Sequence, residues 1–195
     1  GIDRVVIVHP SVYGTDNRCS IDAVTELGYP TRVVAVIDPA IKDAELEAMQ
    51  KAGVRGVRLN LETAGVTDPV ASRTQFLKIA ARVAPLGWHV QFFTNLNVIA
   101  ALEETFAASP VPVVIDHFGR AVASKGLQQP GFDALLRLVQ SGKAYVKLSG
   151  AHRVSQRHDC ADDARCGREE GAGHQCCHAE GARQARHGQM QAAKQ

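Results

Sequence analysis

"VVIDHFGR", Val113 to Arg120, reads as a buried β-strand that runs directly into an acid, an imidazole and a guanidinium. The run leading into it, "VPVVID" (111–116), is apolar on both faces. A strand buried on both sides belongs in a parallel sheet covered by helices. Such sheets bind ligands at the C-terminal ends of their strands. Asp116, His117 and Arg120 fall at such an end. The fold then depends on whether the rest of the chain repeats the pattern.

It does so five more times. "RVVIV" (4–8), "RVVAVI" (32–37), "VRGVRLN" (54–60), "WHVQFF" (88–93) and "AYVKLS" (144–149) are short and rich in Val or aromatic residues. Helical patterns lie between them. "DAELEAMQKAG" (43–53) spaces Leu46 and Met49 three apart and stops at Gly53. "TQFLKIAARVAPLG" (74–87) places Phe76, Leu77, Ile79, Ala80 and Val83 on one broad face. "NLNVIAALEETFAAS" (95–109) carries Val98, Leu102 and Phe106 at intervals of four. "GFDALLRLVQSGK" (131–143) is expected to bury Phe132, Leu135, Leu136 and Val139. Alternating β and α elements with right-handed crossovers give either an open doubly wound sheet or part of a (β/α)8 barrel.

The strand ends deliver a polar, cation-rich edge. His9 and Tyr13 follow the first strand, Asp38 the second, Arg58 and Asn60 the third. Gln91, Phe93 and Thr94 end the fourth, and Lys147, Ser149, His152 and Arg153 the sixth. Arg58, Arg120 and Arg153 come from different strands, and a converging set of guanidiniums suits a substrate with two carboxylates. A strand-end histidine can bind metal, polarise a carbonyl or move a proton. The competing readings are structural: a hydrogen-bonded His, an ion-paired Arg, a packing Tyr13, a core His89 and an Asp38 that only starts a turn before Pro39. "HPSVYGTDN" after the first strand has neither a G-x-G-x-x-G nor a phosphate loop, which argues against a dinucleotide-binding oxidoreductase.

The bulk composition excludes other classes. The 195 residues are 45% hydrophobic and 22% charged, with a formal net charge of +2. No strong field draws the chain to nucleic acid or an anionic membrane, and no apolar run reaches the roughly 20 residues that span a bilayer. The opening "GIDRVVIVHP" lacks the features of a signal peptide and enters a strand almost at once, as a fragment would. Five cysteines, four of them from Cys160 onward, make a poor disulfide framework, so a cytoplasmic setting is expected.

Residues 1–154 therefore read as one α/β domain, and 155–195 as something else. From Ser155 on there is no Val, Ile, Leu, Phe, Tyr or Trp, so a disordered tail or the product of a shifted reading frame is expected. "HQCCH" (174–178) with Cys160 and Cys166 lacks the paired C-x2-C spacing of a structural zinc site.

"VVIVHPSVYGTDN", "GVRGVRLNL", "GWHVQFF", "VVIDHFGR" and "AYVKLSGAHRVS", in that order, resemble the amidohydrolase-related members of the amidohydrolase superfamily, and among them the 2-pyrone-4,6-dicarboxylate lactonases. The resemblance covers about residues 1–154. It implies a (β/α)8 TIM barrel with the active site at its C-terminal mouth, here incomplete: about six βα units, with the first and last strands missing. It implies a hydrolase in which histidines polarise a lactone carbonyl and a last-strand Asp activates water. Relatives use a divalent metal, Zn or Mn, while the lactonases are thought to need none.

Carried onto this sequence, the resemblance makes His117 the catalytic histidine, and the metal ligand if a metal is used. Arg58, Arg120 and Arg153 become the carboxylate-binding arginines, with Tyr13 and Phe93 lining the substrate. Phe92 and Phe93 stand where the lactonases have a hydroxylated aromatic residue, which bears on substrate identity. Asp116 is expected to point away and orient its neighbours. The family's H-x-H pair and final Asp are missing, so this chain is expected to lack activity by itself. Exposed sheet edges suggest self-association, leaving a homo-oligomer open. A decarboxylase on the same barrel and a non-catalytic carboxylate-binding module are the alternatives.

Overall fold

The computed structural model of the chain describes residues 2–155. Six strands form one parallel sheet: β1 (Val5–Val8), β2 (Thr31–Ala35), β3 (Val54–Asn60), β4 (His89–Phe93), β5 (Val113–Ile115) and β6 (Ala144–Val146). Their spatial order is their chain order, β1 through β6. A doubly wound sheet reverses direction at a switch point. This sheet has none, so of the two architectures open to the sequence it takes the barrel-type winding.

Helices return the chain between strands: α1 (Arg18–Glu26), α2 (Asp43–Lys51), α3 (Pro69–Val83), α4 (Leu96–Ala101), α5 (Glu103–Ala107) and α6 (Phe132–Gln140). Helix α3 starts five residues earlier than its apolar pattern predicts. The Asp68 carboxylate caps it by accepting from the Val70 and Ala71 amides, and Pro69 occupies the first turn, where its missing N–H costs nothing. The predicted 95–109 helix breaks in two at Leu102, although Val98, Leu102 and Phe106 are all buried as their spacing requires. Two predicted core residues are exposed, and a third, Leu136, is only partly buried outside the core. Leu77 is 46% exposed and Val139 is 40% exposed, because Ile79 and Leu138 take the sheet-facing positions instead.

The strand register sorts side chains into two faces. Val57 pairs with Val90, which pairs with Val113; Leu59 pairs with Phe92, which pairs with Ile115. These residues face the helices. Phe92 packs there with Phe76 and Phe106 in mutual ring contact at 5.0–5.4 Å, and such a trio adds about 0.5–1.5 kcal/mol per pair beyond simple burial.

Alternate positions face the other way. Arg58 pairs with Gln91 and Asn60 with Phe93, and Gly56 lies beside His89, so close that a Cβ on Gly56 would sit 2.3 Å from the imidazole. Two residues beyond the β5 and β6 pairing of Val114 with Tyr145, and so on the same face, lie Asp116 and Lys147. The inward row is therefore polar towards its C-terminal end, and that is where the site is built. Within the described residues β1 and β6 each have one strand neighbour, and Val6 and Tyr145 on them are both 60% exposed.

Candidate active site

Asp116 organises the strand ends. Its carboxylate is buried and receives donors from three other strands. Gln91 Nε2 reaches both oxygens at 2.9 and 3.0 Å, Arg58 Nε reaches Oδ2 at 3.1 Å, and Lys147 Nζ reaches Oδ1 at 2.9 Å. The sequence reading had Asp116 pointing away. Strand alternation instead places it on the inward row, where the two cations and the amide offset its desolvation.

The chain then turns sharply. His117, Phe118, Gly119 and Arg120 all have positive φ, between 51° and 63°. For L-residues this left-handed region costs roughly 1–2 kcal/mol each. The turn is pinned by its surroundings. The Phe118 amide donates to the Lys147 carbonyl at 3.1 Å, and the Gly119 amide to the Asp116 carbonyl at 3.0 Å. Gly119 is tightly enclosed: a Cβ there would lie 3.0–3.3 Å from the side chains of Ile99, Leu135 and Leu96, which would have to give way. Strain of this kind, held by neighbours, is how a fold fixes a functional side chain.

His117 is what the turn presents. Its Nδ1 lies 3.2 Å from the Ser149 carbonyl and 3.1 Å from the Ser149 hydroxyl. A carbonyl can only accept, so Nδ1 carries the proton and Nε2 is left without a partner among the described residues. Burial lowers the His117 pKa below the ordinary value. The Asp116 charge and the Ser149 bond oppose this, while Arg153 and Lys147 add to it. The resting imidazole is thus neutral near pH 7.

Phe93 is the centre of the arrangement. The His117 ring stands edge-on to it, with centroids 5.3 Å apart. Three guanidinium carbons surround the same ring: Arg58 at 5.4 Å, Arg153 at 5.5 Å and Arg120 at 5.9 Å. Each falls within cation–π range. Like charges this close need compensation. Asp116 supplies it to Arg58, and Glu62 supplies it to Arg120 at 3.3 Å. Arg153 has no carboxylate within ion-pair distance among the described residues.

Five of the six residues predicted for the site, His117, Arg58, Arg120, Arg153 and Phe93, are gathered here. Tyr13 is not. It lies in the short turn Ser11–Tyr13, half exposed, with its ring 6.0 Å from His9. Its neighbour Ser11 reaches the site instead, its hydroxyl contacting Arg58 Nη1 at 3.3 Å and the Asn60 amide. Ser11 and Glu62 are absent from the sequence-based set. Ser11 lies three positions beyond the end of β1 and Glu62 two beyond the end of β3, in "HPS" and "LNLE", which is the signal that could have found them.

Among the described residues no three His, Cys, Asp or Glu side chains converge on a point where a metal ion could sit. The surroundings of His117 are cationic, and its acidic neighbour Asp116 is fully engaged. The described residues therefore do not fit a metal centre. The cysteines and histidines considered for zinc, from Cys160 to His178, lie outside the described residues, as does the predicted tail beyond Ser155.

Residues 1–169 match the family model described as amidohydrolase. The chain belongs to the amidohydrolase family. It is 35% identical over 156 residues to the 2-pyrone-4,6-dicarboxylate hydrolase of Comamonas testosteroni, covering 80% of this chain and 50% of that one. It is 33% identical over 156 residues to the 4-sulfomuconolactone hydrolase of Hydrogenophaga intermedia, covering 80% and 51%. The solved structure of a protein assigned as 2-pyrone-4,6-dicarboxylic acid hydrolase in Pseudomonas putida superposes with a TM-score of 0.74 at 36% identity, covering 85% of this chain and 61% of that one. The six-stranded sheet is thus an arc of the amidohydrolase barrel. This amidohydrolase chain spans about half the length of the curated relatives it matches. No helix among its described residues is long and apolar enough to cross a membrane.

Proposed function

We propose that this amidohydrolase arc belongs to a lactonase-type hydrolase acting on a small lactone that carries two anionic groups. One observation carries the reading: three guanidiniums from three strand ends surround Phe93, with His117 edge-on to the same ring. The planar fork of an arginine matches a carboxylate, and several forks fix a flat substrate in one orientation. The named relatives, a pyrone dicarboxylate hydrolase and a sulfomuconolactone hydrolase, support this substrate class.

The roles follow from the geometry. Arg120 and Arg153 seat the anionic groups, and the Phe93 ring face supports the lactone ring. Phe93 has no hydroxyl to offer a ring oxygen, so recognition rests on charge and shape. A bound dianion raises the His117 pKa, because it adds negative charge beside the imidazole. Nε2 then acquires a proton and donates to the lactone carbonyl, which stabilises charge as water adds. Asp116 does not serve as the base for that water, since its oxygens are taken by Gln91, Arg58 and Lys147. The base, and any co-ligands that would join His117 around Zn or Mn, would come from outside the described residues.

The full engagement of Asp116 favours a second reading for the described residues alone, that they bind a dicarboxylate without turning it over. Val6 and Tyr145 lie exposed on the edge strands of the arc, where the neighbouring strands of a complete barrel would pair. Incubation with 2-pyrone-4,6-dicarboxylate, followed by loss of pyrone absorbance, separates the readings. Ring opening that His117→Ala abolishes supports the hydrolase. Saturable binding without ring opening supports the carboxylate-binding reading, and no binding rejects both.

A further inference from the structure

The pocket holds two carboxylates of its own, and they are not equivalent. Asp116 is buried, with both oxygens used by donors on three strands. Glu62 makes a single contact, Oε1 to Arg120 Nη2 at 3.3 Å. Its other oxygen, Oε2, is buried and has no hydrogen-bond partner. A carboxylate oxygen without a donor is poorly satisfied, and a contact of 3.3 Å is long for a charge-assisted hydrogen bond.

The backbone of Glu62 is held at several points, while its side chain has one ion-pair contact. Its amide donates to the Phe93 carbonyl at 3.0 Å, and the turn closes behind it through Gly65 N to Glu62 O at 3.2 Å and Val66 N to Leu61 O at 2.9 Å. The side chain is about a quarter exposed, which leaves it a way out to solvent. Asp116 has no such freedom.

We infer that Glu62 is a resident carboxylate at the Arg120 end of the anion site, and that ligand binding there exchanges one carboxylate for another. This rests on the proposed anion-binding role of the arginines and deepens it. Glu62 makes Arg120 selective. An anion must approach closely enough to take both guanidinium nitrogens before displacing Glu62 is favourable, so a second carboxylate at the right spacing is rewarded and a monoanion is not. Arg153, with no acid partner among the described residues, binds the first carboxylate without such competition.

Isophthalate is the probe, a flat ring with two meta carboxylates and no lactone to hydrolyse. Calorimetric titration compares the wild-type chain with Glu62→Gln and Glu62→Asp. The Gln variant removes the competing charge at the same size. The Asp variant keeps the charge but withdraws it from Arg120. We expect roughly fivefold tighter isophthalate binding for Glu62→Gln, a smaller gain for Glu62→Asp, and a smaller relative gain for benzoate, whose single carboxylate sits at Arg153, than for isophthalate. Unchanged or weaker isophthalate binding in both variants, with wild-type binding intact, overturns the exchange and makes Glu62 a brace for Arg120. Absence of wild-type binding overturns the anion site and the exchange together.

Discussion

The His117 imidazole stands perpendicular to the Phe93 ring, at 89°, with its Nδ1 committed to Ser149. Only Nε2 can then exchange a proton with a ligand. Burial holds the resting ring neutral, and an arriving dianion favours the imidazolium. Isophthalate binding near pH 7 should therefore be accompanied by proton uptake. Titrations in buffers of different ionisation enthalpy measure it directly. His117→Gln should abolish the uptake, and an equal uptake in that variant would place the proton elsewhere.

Asp116 links three strands through one carboxylate. In Asp116→Asn, Arg58 and Lys147 lose their shared counter-charge in a largely buried setting. The expected destabilisation is about 3 kcal/mol, in the range for breaking a buried ion pair. Urea denaturation reads this out. A loss below about 1 kcal/mol would mean that Lys147, about a third exposed, simply turns to water and that Gln91 suffices to hold the end of β5.

Gly150 sets the depth to which His117 enters. Its φ is 69°, and a Cβ there would lie 2.7 Å from His117 Nδ1. Gly150→Ala should push the imidazole off Ser149 and weaken its alignment with Phe93. The histidine ring resonances in an NMR spectrum would shift, and any ring-opening activity would fall at least tenfold, as expected when a reacting group is displaced by about 1 Å. Unshifted resonances would show that the turn yields instead.

His9, His89 and His117 all have pKa values lowered by burial. For each, the unfolded chain binds the proton more readily than the folded one. Stability is therefore full above the unfolded value of about 6.5 and declines as pH falls below it. Denaturant titrations from pH 8 to pH 5 should show this slope. His9→Asn and His89→Gln should each flatten it, and a slope untouched by either change would assign it to other groups.

Much of this was legible in the chain itself. The apolar runs ending in "RLN", "QFF", "DHFGR" and "KLS" marked parallel strands and the edge that carries chemistry, because two-sided burial and strand-end polarity both survive in a linear pattern. Strand order was not legible, since doubly wound and barrel windings share the same alternation. The inward position of Asp116 was missed because it depends on pleat register with β4 and β6. The start of helix α3 is hidden from its apolar stripe, which begins at Phe76, because Asp68 and Pro69 set the first turn. Glu62 stands close to a strand end, which hints at a place in the site but not at a role there. Its meaning comes from Arg120, 58 residues away, and from nothing nearby.

The most direct test is calorimetric titration of the wild-type chain and Arg153→Ala with isophthalate. Arg153 lies against Phe93 with no acid partner among the described residues, so its loss should leave the fold intact. Saturable one-to-one binding is expected, weakened at least tenfold by Arg153→Ala with an unchanged melting temperature. Equal affinity in the two proteins would contradict the arginine-ringed anion site.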